Sequence, residues 1–176
     1  MNYIFDLDNT LIYSDLANNF SYKEAVRNIL NEDLNITAGR ITRNDLKTMF
    51  PNLTTLQMSN IVHEKEKKYK TYFNMTILNT ALVMILKYLS ENNKRTILLT
   101  YSGKNRAEQL LKYHGIDNLF AEKYYKEDYG KNTKYKFATD VLAINSHNLV
   151  LFENETESLN DAVNNGIIKN NIIKIV

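Results

Sequence analysis

Four short apolar runs recur along the chain, at residues 2–5 (NYIF), 96–99 (TILL), 149–152 (LVLF) and 172–175 (IIKI). Each has the length of a strand, and none alternates strictly, which is the pattern of strands covered on both faces. Between them the hydrophobic period changes. Leu82, Ile85, Leu86 and Leu89 follow the i, i+3, i+4, i+7 spacing of an amphipathic helix. Ala107, Leu110 and Leu111 repeat it, with Gly115 placed to end that helix, and so do Leu159, Ala162 and Val163, with Gly166. Strands alternating with helices predict an α/β fold, a Rossmann-like parallel sheet flanked by helices.

Residues 13–78 break the alternation. They hold no convincing strand, and the stretches SYKEAVRNIL, TRNDLKTMF and TTLQMSNIVHEKEKKYKTYF read as helices. Ser21 or Thr42 is an available N-cap, and Pro51 punctuates the middle. The expected organisation is an α/β core of residues 1–12 and 79–176 with an all-helical insert, 13–78.

Composition narrows the function without choosing it. A net charge of +2 gives no basic footprint for nucleic acid. The absence of cysteine excludes disulfides and thiol catalysis and suits a cytoplasmic protein. No apolar run is long enough for a membrane span, the N-terminus does not read as a signal peptide, and no protein partner is inferable. His63, His114 and His147 are scattered, without metal-ligand spacing.

The first strand ends in FDLDNT, with Asp6 and Asp8 two residues apart. Aspartate is a poor strand former and like charges repel, so the local pattern is unfavourable unless a site requires it. In an open α/β sheet, ligands bind beyond the carboxyl ends of strands. Thr100 in LLTYSGKNR follows a second strand, ahead of a helix whose free N–H groups suit a phosphate. Glu153, Asn154 and Glu155 follow a third, and YGKNTKYKF supplies lysines before another helix. Carboxylates converging from two strand ends call for a cation between them. A divalent metal with a phosphate answers both the charge and the geometry.

These residues resemble the haloacid dehalogenase (HAD) superfamily of phosphatases with a small α-helical cap. FDLDNTL is similar to its DxDxT motif and LLTYSG to its second motif. Lys131 resembles the third-motif lysine, with Lys134 as its competitor, and LVLFENETESLNDAVNNGI follows the fourth. The resemblance implies that Asp6 is the nucleophile, Asp8 the general acid/base, and that Thr100 and Lys131 hold the phosphoryl group. Thr10, Tyr101 and Ser102 are the further phosphate-binding candidates. Asp6, Asp8 (through its carbonyl), Glu153 and Asn154 are the expected ligands of Mg2+. One departure stands out: relatives carry aspartate where this chain has Asn154, so the metal site reads as weakened, with Glu153 as the carboxylate left to reach it. The implied function is Mg-dependent hydrolysis of a small phosphorylated metabolite through an aspartyl phosphate. The alternatives are a catalytically weakened phosphate-binding or regulatory protein, and a sugar-phosphate mutase.

Overall fold

The computed structural model describes residues 1–36 and 39–176. In chain order its elements are β1 (Asn2–Phe5), β2 (Ile12–Tyr13), α1 (Asp15–Leu30), α2 (Arg43–Met49), α3 (Thr55–Tyr69), β3 (Ile77–Leu78), α4 (Thr80–Glu91), β4 (Arg95–Leu99), α5 (Lys104–Tyr113), β5 (Glu122–Tyr124), α6 (Lys134–Asp140), β6 (Leu149–Glu153), α7 (Thr156–Asn164) and β7 (Ile172–Lys174), with short 3-10 segments between some of them. The chain divides into two units, residues 1–12 with 78–176, and residues 13–77.

The first unit is an α/β fold built on a parallel sheet of order β5-β4-β1-β6-β7 among the described residues. The apolar runs supply its centre. Ile4, Phe5, Ile97, Leu98, Leu99 and Leu151 are fully buried, and the rings of Phe5 and Phe152 stack at 4.6 Å. Strand β5 gave no apolar signal. It is a half-buried edge strand reading Glu-Lys-Tyr, with Glu122 paired to Arg95 at 2.6 Å, and charged residues are how sheets blunt an edge. Gly115 and Gly166 lie just past α5 and α7 with φ of +67° and +85°. Their N–H groups bond to carbonyls in the preceding turn, as a left-handed helix end requires.

The second unit is helical over its described residues. Helix α1 starts at Asp15, six residues before the Ser21 start that the sequence suggested. Ser21 is buried inside the helix, and its hydroxyl donates to the Ala17 carbonyl at 2.5 Å, so it caps nothing. Thr42 does cap α2, in a reciprocal pair with Asp45, and Thr54 caps α3 with Gln57. Tyr22, Ala25 and Val26 of α1 pack with Ile61 of α3 and with Leu34, Ile41 and Leu46.

Two buried amides tie a loop to this core. Asn18 donates to the Ile41 carbonyl at 2.9 Å. Asn19 donates to the Gly39 carbonyl at 2.7 Å and accepts the Ile41 N–H at 2.8 Å. Asn19→Ala strands that N–H and that carbonyl, and is expected to destabilise the protein by about 2 kcal/mol or more. Urea denaturation of the variant measures it, and an unchanged midpoint would contradict this role.

Candidate active site

The sheet register assembles the site. Phe5 is level with Leu98 on one side and Phe152 on the other, so Asp6, next along the central strand, is level with Leu99 and Glu153. The Asp6 N–H continues the ladder to the Phe152 carbonyl at 3.1 Å. Residues far apart in sequence therefore meet at the carboxyl end of the sheet. After Leu7 the chain turns tightly, with Asn9 at φ 57°, a left-handed position that asparagine tolerates. The turn returns Thr10 to Asp6.

Asp6 is buried. Its Oδ1 accepts from Lys134 Nζ at 2.7 Å, and its Oδ2 lies 3.1 Å from the Thr10 hydroxyl. That hydroxyl also lies 3.0 Å from Asn154 Oδ1, so a single proton serves one of two acceptors. Burial pushes the Asp6 carboxyl up to about 7. Lys134 pulls it the other way, and Glu153 and Asp8 add to the rise.

The lysine that reaches Asp6 is Lys134, not Lys131. Lys131 is exposed in the turn before α6, whereas Lys134 opens that helix and is 1 % exposed. Nζ of Lys134 reaches both Asp6 and Glu153, the latter at 2.6 Å. Burial works against its charge, but the two carboxylates outweigh burial and hold its pKa above the ordinary value. The rings of Tyr101 and Tyr135 each lie 5.2 Å from this ammonium.

Glu153 does not fit the ligand role expected of it. It is completely buried, and four protein donors engage its two oxygens. Oε2 accepts from Tyr135 at 2.5 Å and from Lys134; Oε1 accepts the N–H groups of Asn154 at 2.9 Å and Glu155 at 3.0 Å. A carboxylate offers about four acceptor positions, so none remains for a cation.

Thr100 lies where the sequence put it, just past β4 and 1 % exposed. Its oxygen accepts the Ser102 N–H at 3.1 Å, a bond that does not use the hydroxyl proton. Tyr101 is engaged elsewhere. Its hydroxyl accepts the Lys134 N–H at 3.1 Å, fixing the start of α6, and the residue is 44 % exposed. The N-terminus of α5 meets a protein carboxylate, with the Lys104 N–H donating to Glu127 at 3.1 Å.

Arg106 is the residue that sequence reasoning missed. From α5 its guanidinium makes two parallel bonds to Asp8, Nη1 to Oδ1 at 3.1 Å and Nη2 to Oδ2 at 3.2 Å. Ser102 closes the arrangement, its hydroxyl donating to Asp8 Oδ2 and accepting from Arg106. Arg106 lies in the first turn of α5, four residues past Ser102, and nothing in the spacing singles it out.

Among the described residues, no three of His, Cys, Asp and Glu cluster as a metal site. With Glu153 and the Asp8 side chain committed to protein partners, the donors left for a cation are the Asp6 carboxylate, the Asp8 carbonyl and the Asn154 amide oxygen. All three are hard oxygens, and when Asp6 is ionised Asp6, Asp8 and Glu153 outnumber Lys134 and Arg106 by one charge. This donor set suits magnesium, which takes few protein ligands and keeps water, and with a single carboxylate it would hold the ion weakly.

No protein-family model matches the sequence, and no curated protein is similar to it in sequence. Solved structures do match. A haloacid dehalogenase-like family hydrolase from Streptococcus pneumoniae superposes with TM-score 0.72 at 18% identity, over 94% of this chain and 81% of its own. A predicted phosphoglycolate phosphatase from Haemophilus somnus gives 0.76 at 16%, over 94% and 81%. CbbY from Rhodobacter sphaeroides, solved in complex with phosphate, gives 0.72 at 13%, over 94% and 83%. The chain has the haloacid dehalogenase-like hydrolase fold.

Proposed function

We propose that this chain is a phosphomonoester hydrolase that works through an aspartyl phosphate on Asp6. The observation that carries the reading is the setting of Asp6, a buried carboxylate at the end of the central strand, held by Lys134 and Thr10. A positioned carboxylate is a competent phosphoryl acceptor, and phosphoryl transfer depends chiefly on positioning and on stabilising charge. An Asp6 oxygen bonds to phosphorus as the bond to the leaving oxygen breaks, and water then releases phosphate from Asp6. Lys134 and the Thr100 hydroxyl take the lysine and threonine roles toward the phosphoryl oxygens. Asp8 stands at the position of the proton-handling group, and Arg106 restrains its side chain. Asp6, the Asp8 carbonyl and Asn154 would hold magnesium, whose charge would offset that of the incoming phosphate. The helical unit would serve as the cap that selects a small phosphorylated metabolite. No helix among the described residues is long and apolar enough to cross a membrane, and a cytoplasmic setting suits such a substrate.

Hydrolysis of p-nitrophenyl phosphate and a panel of phosphorylated metabolites, with and without magnesium, tests this reading. Magnesium-stimulated release of phosphate is expected. Inorganic phosphate binding without turnover of any compound would favour the second reading, a phosphate-binding protein. Asn154, together with the commitment of Glu153 to protein partners, is the observation on that side.

The metal role has its own measurement. Asn154→Asp adds a carboxylate beside the proposed ion, and is expected to tighten magnesium about tenfold or more, or 1.4 kcal/mol. Glu153→Gln should leave magnesium affinity nearly unchanged while lowering stability. Calorimetric titration of the three proteins separates these effects, and unaltered affinity in Asn154→Asp would remove residue 154 from the metal site.

A further inference from the structure

We propose that Arg106 is a positioning residue that clasps the Asp8 side chain away from the leaving-group oxygen, selecting phosphate compounds whose leaving group departs without a proton, such as acyl and aryl phosphates. The inference rests on the phosphohydrolase reading above. It starts from geometry. Both Asp8 oxygens face the guanidinium in a two-point contact, and Ser102 binds one of them as well. The side chains of Arg106 and Asp8 are 10% and 15% exposed, so water competes little with the pair.

A group that passes a proton to a departing oxygen needs an oxygen facing it within hydrogen-bond reach. Here three of the carboxylate's roughly four acceptor positions are directed to Arg106 and Ser102. An alkyl ester suffers most, because an alkoxide is too basic to leave unaided. A carboxylate or phenolate leaves as the stable anion. In the first step the Asp6 oxygen–phosphorus bond forms and the phosphorus–leaving-oxygen bond breaks. The leaving group keeps that electron pair and no proton moves. In the second, water attacks phosphorus and the Asp6 bond breaks, freeing the carboxylate. The released phosphate or solvent takes the water's proton.

Arg106 is specific to this effect because its planar fork matches a carboxylate at two points, which a lysine ammonium does not. Arg106→Lys and Arg106→Ala therefore loosen the clasp to different degrees, and Ser102→Ala removes its third contact.

The experiment measures kcat/KM for a series of aryl and alkyl phosphates, together with acetyl phosphate, on wild type and the three variants. Circular dichroism checks that each variant is folded. Wild type should favour aryl and acyl over alkyl phosphates by about a hundredfold or more, within the range that general acid catalysis usually contributes. The variants should narrow that gap by about tenfold, chiefly through kcat on alkyl substrates. Equal wild-type rates on alkyl and aryl compounds would overturn the proposal, and so would variants that lose both classes in proportion. Failure to turn over either class would instead overturn the phosphohydrolase reading, and the proposal with it.

Discussion

Asp6→Asn is expected to abolish turnover, by about four orders of magnitude or more, as loss of a covalent nucleophile does. It should also prevent labelling of the protein by a phosphoryl donor in a rapid quench. The fold should survive, because the amide has nearly the carboxylate's shape and its oxygen can still accept from Lys134. The stability change has an unusual expected sign. Burial raises the Asp6 carboxyl to about 7 despite Lys134, so the folded state carries a cost for keeping that charge. A neutral amide removes the cost, while Lys134 keeps its partner Glu153. Asp6→Asn should therefore melt at or above the wild-type temperature while inactive, the trade between activity and stability expected of a strained site. Retained turnover in the folded variant would exclude Asp6 as the nucleophile.

The sheet centre was legible because its strands are buried on both faces and read as unbroken apolar runs. The edge strand β5 was not, because its exposure demands charge. Helix α1 was read six residues short, since its first turns carry the buried polar residues Asn18 and Asn19, whose partners lie about twenty residues away. The positions of Asp6 and Thr100 just past their strands were legible from the apolar runs that precede them. The choice between lysines was not, because it depends on which way the turn before α6 faces. Residue 131 remains in solvent, while residue 134, at the first turn of the helix, points its side chain to the carboxyl end of the sheet. The commitment of Glu153 was equally hidden, because its partners Tyr135 and Lys134 come from another element. Arg106 escaped because an arginine inside an amphipathic helix ordinarily reads as a solvated charge.

The two lysines separate in a direct test. Lys134→Met removes the cation shared by Asp6 and Glu153 and leaves two carboxylates facing a buried space. Breaking a buried pair from one side costs about 3–5 kcal/mol, because the remaining charge is uncompensated. The deficit should depend on pH, with a sign that follows from linkage. The Asp6 carboxyl already titrates above its unfolded value, and loss of Lys134 pushes it higher. A carboxyl raised in the folded state favours folding while protonated, and that contribution is lost as pH rises through the folded pKa. The deficit relative to wild type should thus be smallest near pH 4 and grow through neutrality. Lys131→Met changes an exposed side chain and should stay within about 0.5 kcal/mol at every pH. Activity should divide the same way, with turnover lost in Lys134→Met and nearly unchanged in Lys131→Met. Urea denaturation between pH 4 and 8, with phosphate-release assays on the same proteins, reads both effects. A pH-independent deficit in Lys134→Met would show that this lysine does not balance the site's carboxylates. A large loss of activity in Lys131→Met would return the phosphate role to the exposed turn.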